Sequence, residues 1–149
     1  MYRGAGDNQG IGIPDPGGSW EFADGGLDAG TSDFTISAWF NWSSSMTEQY
    51  PTIVYKGGGS NEDTGYWFNF DMVTNGIDVR VSNGTARFVA NSNTSLGIDA
   101  GEWHYVTVVF DREPGLDTDY FYLNGDPAGS ASRALVSGDS VFKENSWVC

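Results

Sequence analysis

Basic residues are scarce: 7 Lys and Arg stand against 20 Asp and Glu in 149 residues, giving a net charge of -13 and a pI near 4.1. So acidic a chain repels a phosphate backbone, which excludes nucleic acid as an expected partner. An anionic membrane surface is disfavoured for the same reason, and no run approaches the ~20 apolar residues that membrane insertion requires. Cysteine is limited to Cys149, so neither an intrachain disulfide nor a CxxC redox or metal motif can form. Histidine is limited to His104, which leaves no zinc constellation, and no nucleophile elbow accompanies it to suggest a Ser-His-Asp triad. Residues 1–12 lack a charged segment followed by an apolar run of the secretory type. Long stretches free of glycine are also rare, since 21 Gly punctuate the chain and argue against long helices.

Aromatic side chains, by contrast, are abundant at 15% of residues, so the acidity is not that of a disordered tail. Phe34, Ile36, Ala38, Phe40 and Trp42 alternate with Thr35, Ser37 and Asn41, the period of a strand buried on one face. Trp39 and Trp42 fall on opposite faces of that strand, so at least one of them should pack inside. Further strands are predicted over 52–56, 66–72, 77–82, 86–91, 103–111 and 119–123, a spacing typical of a sandwich or barrel. Asn75-Gly76, Asn83-Gly84 and Asn124-Gly125 carry the signature of type I′ hairpin turns. Two-residue loops at the first two predict a three-stranded meander. It pairs Met72 with Val79, Asp71 with Arg80 and Phe70 with Val81, then Val81 with Ala86, Arg80 with Arg87 and Val79 with Phe88. Phe68, Phe70, Met72, Ile77, Val79, Val81 and Phe88 then face the core, with Tyr66 in step. Trp67, Asn69, Asp71, Asp78, Arg80 and Arg87 face outward.

Three phrases in order, Asp33-Phe34-Thr35-Ile36-Ser37-Ala38-Trp39-Phe40, Ala100-Gly101-Glu102-Trp103-His104-Tyr105-Val106 and Tyr122-Leu123-Asn124-Gly125, resemble the laminin-G-like domains of the concanavalin A-like lectin and glucanase superfamily. The resemblance implies an all-β, two-sheet antiparallel jelly-roll sandwich over 20–149, preceded by an irregular lead-in over 1–19. Residues 19–22, around Trp20 and Phe22, read as an edge strand. Only residues 133–149 follow the last Asn-Gly pair, with Val141, Phe142, Trp147 and Val148 as apolar anchors. The sandwich is therefore expected to lack its last strands, leaving an edge to be covered by a homodimer partner or by further chain.

The family also implies a secreted or cell-surface module that binds a glycan or glycoprotein surface, often with calcium. Trp67, Asn69, Asp71 and Arg80 offer the mixture such binding needs, an indole for the apolar face of a pyranose and polar groups for its hydroxyls. For calcium, Asp24, Asp28 and Asp33 precede the Phe34 strand, and Asp111, Asp117 and Asp119 flank a Pro-Gly turn; such loops supply carboxylates and carbonyls together. No paired-carboxylate motif like that of the superfamily's hydrolases occurs, and Glu62-Asp63 and Asp117 with Asp119 read as solvated loop residues. The expected function is a non-catalytic carbohydrate-binding or adhesion module. A structural or interaction spacer is the alternative, and a glycoside hydrolase ranks third.

Overall fold

The computed structural model describes residues 2–3, 9–10, 13–14, 31–57, 65–82, 87–92, 95–112, 117–133 and 147–148. The strands run in the order β1 (Tyr2–Arg3), β2 (Gln9–Gly10), β3 (Ile13–Pro14), β4 (Phe34–Phe40), β5 (Thr52–Gly57), β6 (Gly65–Asp71), β7 (Gly76–Ser82), β8 (Arg87–Asn91), β9 (His104–Asp111), β10 (Asp117–Leu123), β11 (Asp126–Arg133) and β12 (Trp147–Val148). Beside a separate β1-β2 pair they form two antiparallel sheets, ordered β11-β10-β9-β4 and β3-β12-β5-β6-β7-β8. The all-β sandwich expected from the alternating pattern is what forms.

The two-residue period decides which side chains meet between the sheets. In β9, Val106, Val108 and Phe110 are buried while Tyr105, Thr107 and Val109 are not. Phe68, Phe70, Val79 and Val81 are buried on the other sheet. Phe34 joins the layers at one end, stacked on Phe110 at 4.1 Å between ring centroids and tilted against Tyr66 at 5.5 Å. At the other end Phe40 and Trp42 lie 5.5 and 5.3 Å from the ring of Phe70. Each fully buried Val or Phe contributes about 1.5–3 kcal/mol. Of the Trp39 and Trp42 pair, it is Trp42 that packs against the core.

The meander forms, but not with the predicted partners. β6 and β7 are joined by a four-residue loop, 72–75, which pairs Asp71 with Gly76, Phe70 with Ile77, Phe68 with Val79 and Trp67 with Arg80. β7 and β8 pair Ser82 with Arg87, Val81 with Phe88 and Arg80 with Val89, while the Asn83-Gly84 turn itself lies outside the described residues. Arg80 therefore stands between Trp67 and Val89, not between Asp71 and Arg87. Val79 stands between Phe68 and Ala90, not between Met72 and Phe88. Both slips are even, so the alternation of faces is kept and Val79 and Val81 remain buried, but Met72 falls in the loop, and Asn69, Asp71 and Asp78, expected to face outward, are buried as well. The side chains of Arg87 and Phe88 lie outside the described residues.

Polar bonds inside and beyond the first loop explain its slip. Asp71 Oδ1 accepts the N–H groups of Val73 at 2.9 Å and Thr74 at 3.4 Å, and Asp71 Oδ2 accepts the Thr74 hydroxyl. Asn75 does hold a positive φ of 53°, but its amide is engaged elsewhere. Its Oδ1 accepts Ile98 N–H at 2.7 Å and its Nδ2 donates to Ile98 O at 2.9 Å, fastening residues 95–98 to the sheet. The third Asn-Gly pair behaves as predicted. Asn124 and Gly125, at φ 54° and 93°, make a two-residue turn with Leu123 opposite Asp126. The strand it starts, β11, was absent from the predicted set because its Gly, Pro, Ser and Ala carry little strand propensity. The hairpin builds it nonetheless.

Of the tail after β11, the described residues are Trp147 and Val148, which lie inside the six-stranded sheet. Trp147 and Val148 pair with Gly57 and Lys56 on one side and with Pro14 and Ile13 on the other. The edge strand proposed around Trp20 and Phe22 lies outside the described residues.

Replacing Asn75 by Gly tests this loop. Glycine accepts the backbone conformation without strain, so a simple two-residue turn would tolerate it. Losing both bonds to Ile98 should instead lower the free energy of unfolding by about 1–3 kcal/mol in denaturant titration.

Candidate functional site

The face carrying Trp67, Asn69, Asp71 and Arg80 is largely committed to its own bonding. Thr52, Asn69, Asp78 and Asn91 stand directly opposite one another across β5, β6, β7 and β8. Thr52 donates its hydroxyl to Asn69 Oδ1 at 2.9 Å, and Asn69 Nδ2 donates to Asp78 Oδ1 at 3.3 Å. The Asn91 side-chain nitrogen, turned to this row, reaches Asp78 Oδ2 at 3.2 Å. Arg80 Nε adds a charge-assisted bond to Asp78 Oδ1 at 2.8 Å, and its guanidinium lies 5.1 Å from the Tyr50 ring centroid. Asn69 and Asp78 are only 3% and 2% exposed. Asp71 is buried and holds the 72–75 loop. Trp67, half-buried, packs at 5.4 Å against Tyr55. The four residues proposed from sequence as a ligand set share a face, but Asn69, Asp71 and Arg80 have their polar groups engaged within the protein.

Of the six carboxylates expected to hold calcium, the side chains of Asp33, Asp111 and Asp119 are described. Asp24 and Asp28 lie outside the described residues, as does the side chain of Asp117. Asp33 uses Oδ1 to accept Arg112 N–H at 2.7 Å. Asp119 is not a solvated loop residue. It lies on β10 opposite Phe110 and is wholly buried, whereas Asp111 pairs with Thr118 on the outer face. Asp111 and Asp119 thus stand on opposite sides of one sheet, and among the described residues no three His, Cys, Asp or Glu converge on a common point. A calcium ion takes six to eight oxygens. The described carboxylates do not fit that requirement. His104 is buried, with its Nε2 3.2 Å from Asp99 O and its ring 6.1 Å from Phe40; no nucleophile bonds to it among the described residues.

The more open aromatic surface is on the other sheet. Outward positions of β4, β9 and β10 place Trp39 beside Tyr105, Ser37 beside Thr107 and Tyr122, and Thr35 beside Val109 and Tyr120. Trp39 is 63% exposed and meets Tyr105 at 5.2 Å between centroids, with the rings tilted by 39°. Trp103, two residues before Tyr105, is 66% exposed, and Tyr120 is exposed as well. Ser37 and Thr107 bond through their hydroxyls at 2.9 Å. Because each hydroxyl has one proton and two lone pairs, that pair still has a donor and acceptors for another molecule. Sequence reading missed this face, although the signal was present: Trp39, Tyr105, Tyr120 and Tyr122 all occupy the polar phase of strands whose opposite phase is core.

A shallow cleft of about 520 Å³ opens at one end of the molecule between Ser95, Leu96 and the β10-β11 hairpin, including Leu123, Asn124 and Asp126. One of its polar groups, Asn124 Oδ1, already accepts Tyr105 N–H.

The fold and these faces define a two-sheet antiparallel sandwich with an aromatic outer surface. A laminin G family model, described as the concanavalin A-like lectin/glucanases superfamily, matches residues 14–147, and the chain belongs to that family. Among solved structures, mouse laminin alpha1 chain domains LG4-5 are similar at 13% identity and a TM-score of 0.48, with 78% of this chain and 27% of that chain covered. The carbohydrate binding module CBM66 from Bacillus subtilis is similar at 17% identity and a TM-score of 0.45, with 78% and 70% covered. This chain therefore spans about a quarter of the laminin chain it resembles. No curated protein matches the sequence.

The polar row predicts a stability effect. Asp78→Ala removes the acceptor shared by Asn69, Arg80 and Asn91, and should cost about 3 kcal/mol in denaturant unfolding. A loss below about 0.5 kcal/mol would show that the row is not structural.

Proposed function

We propose that this domain is a non-catalytic carbohydrate-binding or adhesion module, working at or outside a cell surface, which holds glycan on the outer face of the β4-β9-β10 sheet. The observation that carries the reading is the exposed Trp39 indole, braced by Tyr105 on the neighbouring strand. A solvent-facing indole loses little conformational entropy on binding and offers an apolar plane that matches the C–H face of a pyranose. The Ser and Thr hydroxyls beside it suit the ring's own hydroxyls.

A spacer domain without glycan affinity is the competing reading, and one variant separates the two. On a glycan array, Trp39→Ala should weaken the strongest response about thirty-fold, the effect of losing a central aromatic anchor of about 2 kcal/mol. The variant's stability should fall by no more than about 1 kcal/mol, the value of the ring pair with Tyr105. Binding should be equal in calcium and in chelator, since none of the aromatic and hydroxyl groups invoked is a calcium carboxylate. No response from the parent domain on any glycan would favour the spacer.

A further inference from the structure

Taking the glycan-binding reading as its basis, we infer that the ligand of the Trp39 face is an internal stretch of a linear, uncharged polysaccharide, and that sulfated or uronate-bearing chains are rejected. The charge content of the face is the first ground. Along the outward positions of β4 the residues are Thr35, Ser37 and Trp39; along β9 they are Tyr105, Thr107, Val109 and Asp111. On β10 they are Thr118, Tyr120 and Tyr122, opposite Ser132, Ser130 and Pro127 of β11. None of these is Lys or Arg, and the single charge is a carboxylate. Anionic sugars are held by guanidinium and ammonium groups through charge-assisted bonds. Here a sulfate would meet Asp111 and a net charge of -13, with no Lys or Arg among these described outward positions to offset either.

The shape of the face is the second ground. Trp39, Tyr105, Tyr122 and Tyr120 descend diagonally across three adjacent strands, which lie about 4.8 Å apart. The path is longer than one sugar ring. The outward rows are open to solvent along β4 and at Ser130 and Ser132, so among the described residues no wall closes the path at a chain end. An extended chain can lie along this path with successive rings on successive aromatics, its hydroxyls meeting the Ser37–Thr107 pair.

Affinity electrophoresis tests the assignment, with galactomannan, mixed-linkage β-glucan and dextran as neutral matrices and heparin and polygalacturonate as anionic ones. The expected result is retardation in at least one neutral gel, at least about tenfold tighter than in either anionic gel. It should persist in 0.5 M NaCl, strengthen with oligosaccharide length in competition, and be lost in Trp39→Ala. Retardation by heparin or polygalacturonate that Trp39→Ala removes would overturn the neutral assignment while leaving the glycan-binding reading intact. Retardation in none of the five gels would overturn both. A dimer in sedimentation that Trp39→Ala dissociates would assign the face to a second copy of the chain, and would likewise overturn the inference.

Discussion

The closed interface between the two sheets is the constraint from which the rest of the structure follows. Phe68, Phe70, Val79 and Val81 must meet Val106, Val108, Phe110 and Phe121 without water between them, and every second residue of each strand is committed to that contact. The remaining residues are distributed over two outer faces by the same period. A slip of one residue would exchange core for surface along a whole strand, so only even slips are tolerated. The two altered registers of the meander obey this rule, and the core survives them because of it.

The two outer faces differ in how they satisfy their polar groups. On the six-stranded sheet, Thr52, Asn69, Asp78 and Asn91 bond to one another across four strands, with Arg80 balancing the Asp78 carboxylate. A buried network of this kind is stable only when its members are satisfied, and that leaves few groups for a ligand. On the four-stranded sheet the outward rows hold rings and hydroxyls with no such network, and Trp39 stands in solvent. Solvent-facing aromatics on a rigid sheet are a ready contact surface, because their positions are set by backbone hydrogen bonds before any partner arrives.

Much of this was legible from residue order alone. The alternation in residues 34–40 and 104–111 gave both strands and their buried phase, and the three phrases around Trp39, Trp103 and Tyr122 pointed to the family to which the chain belongs. Turn chemistry was less reliable, for a physical reason. An Asn-Gly pair favours a left-handed turn, but the Asn75 amide is worth more clasping Ile98, a contact 23 positions away that no local rule anticipates. The candidate site suffered in the same way. Asn69, Asp71 and Arg80 look like ligand groups until their cross-strand partners are known, whereas Trp39 and Tyr105 are 66 positions apart in sequence (105 − 39) and become neighbours only through the β4-β9 register. Asp119, at the start of the strand predicted over 119–123, was read as solvated beside the Pro114-Gly115 turn, yet strand β10 begins at Asp117 and turns Asp119 inward.

The most direct test of the central claim is to see which face responds to a sugar. In a ¹H–¹⁵N NMR titration with a neutral linear oligosaccharide, the Trp39 indole and the amides of Ser37, Tyr105, Thr107 and Tyr122 should shift together along one binding curve, while the Trp42 and Trp67 indoles stay in place. Shifts centred on Trp67 and Arg80, or on Leu96 and the β10-β11 hairpin, with Trp39 unmoved, would contradict the account.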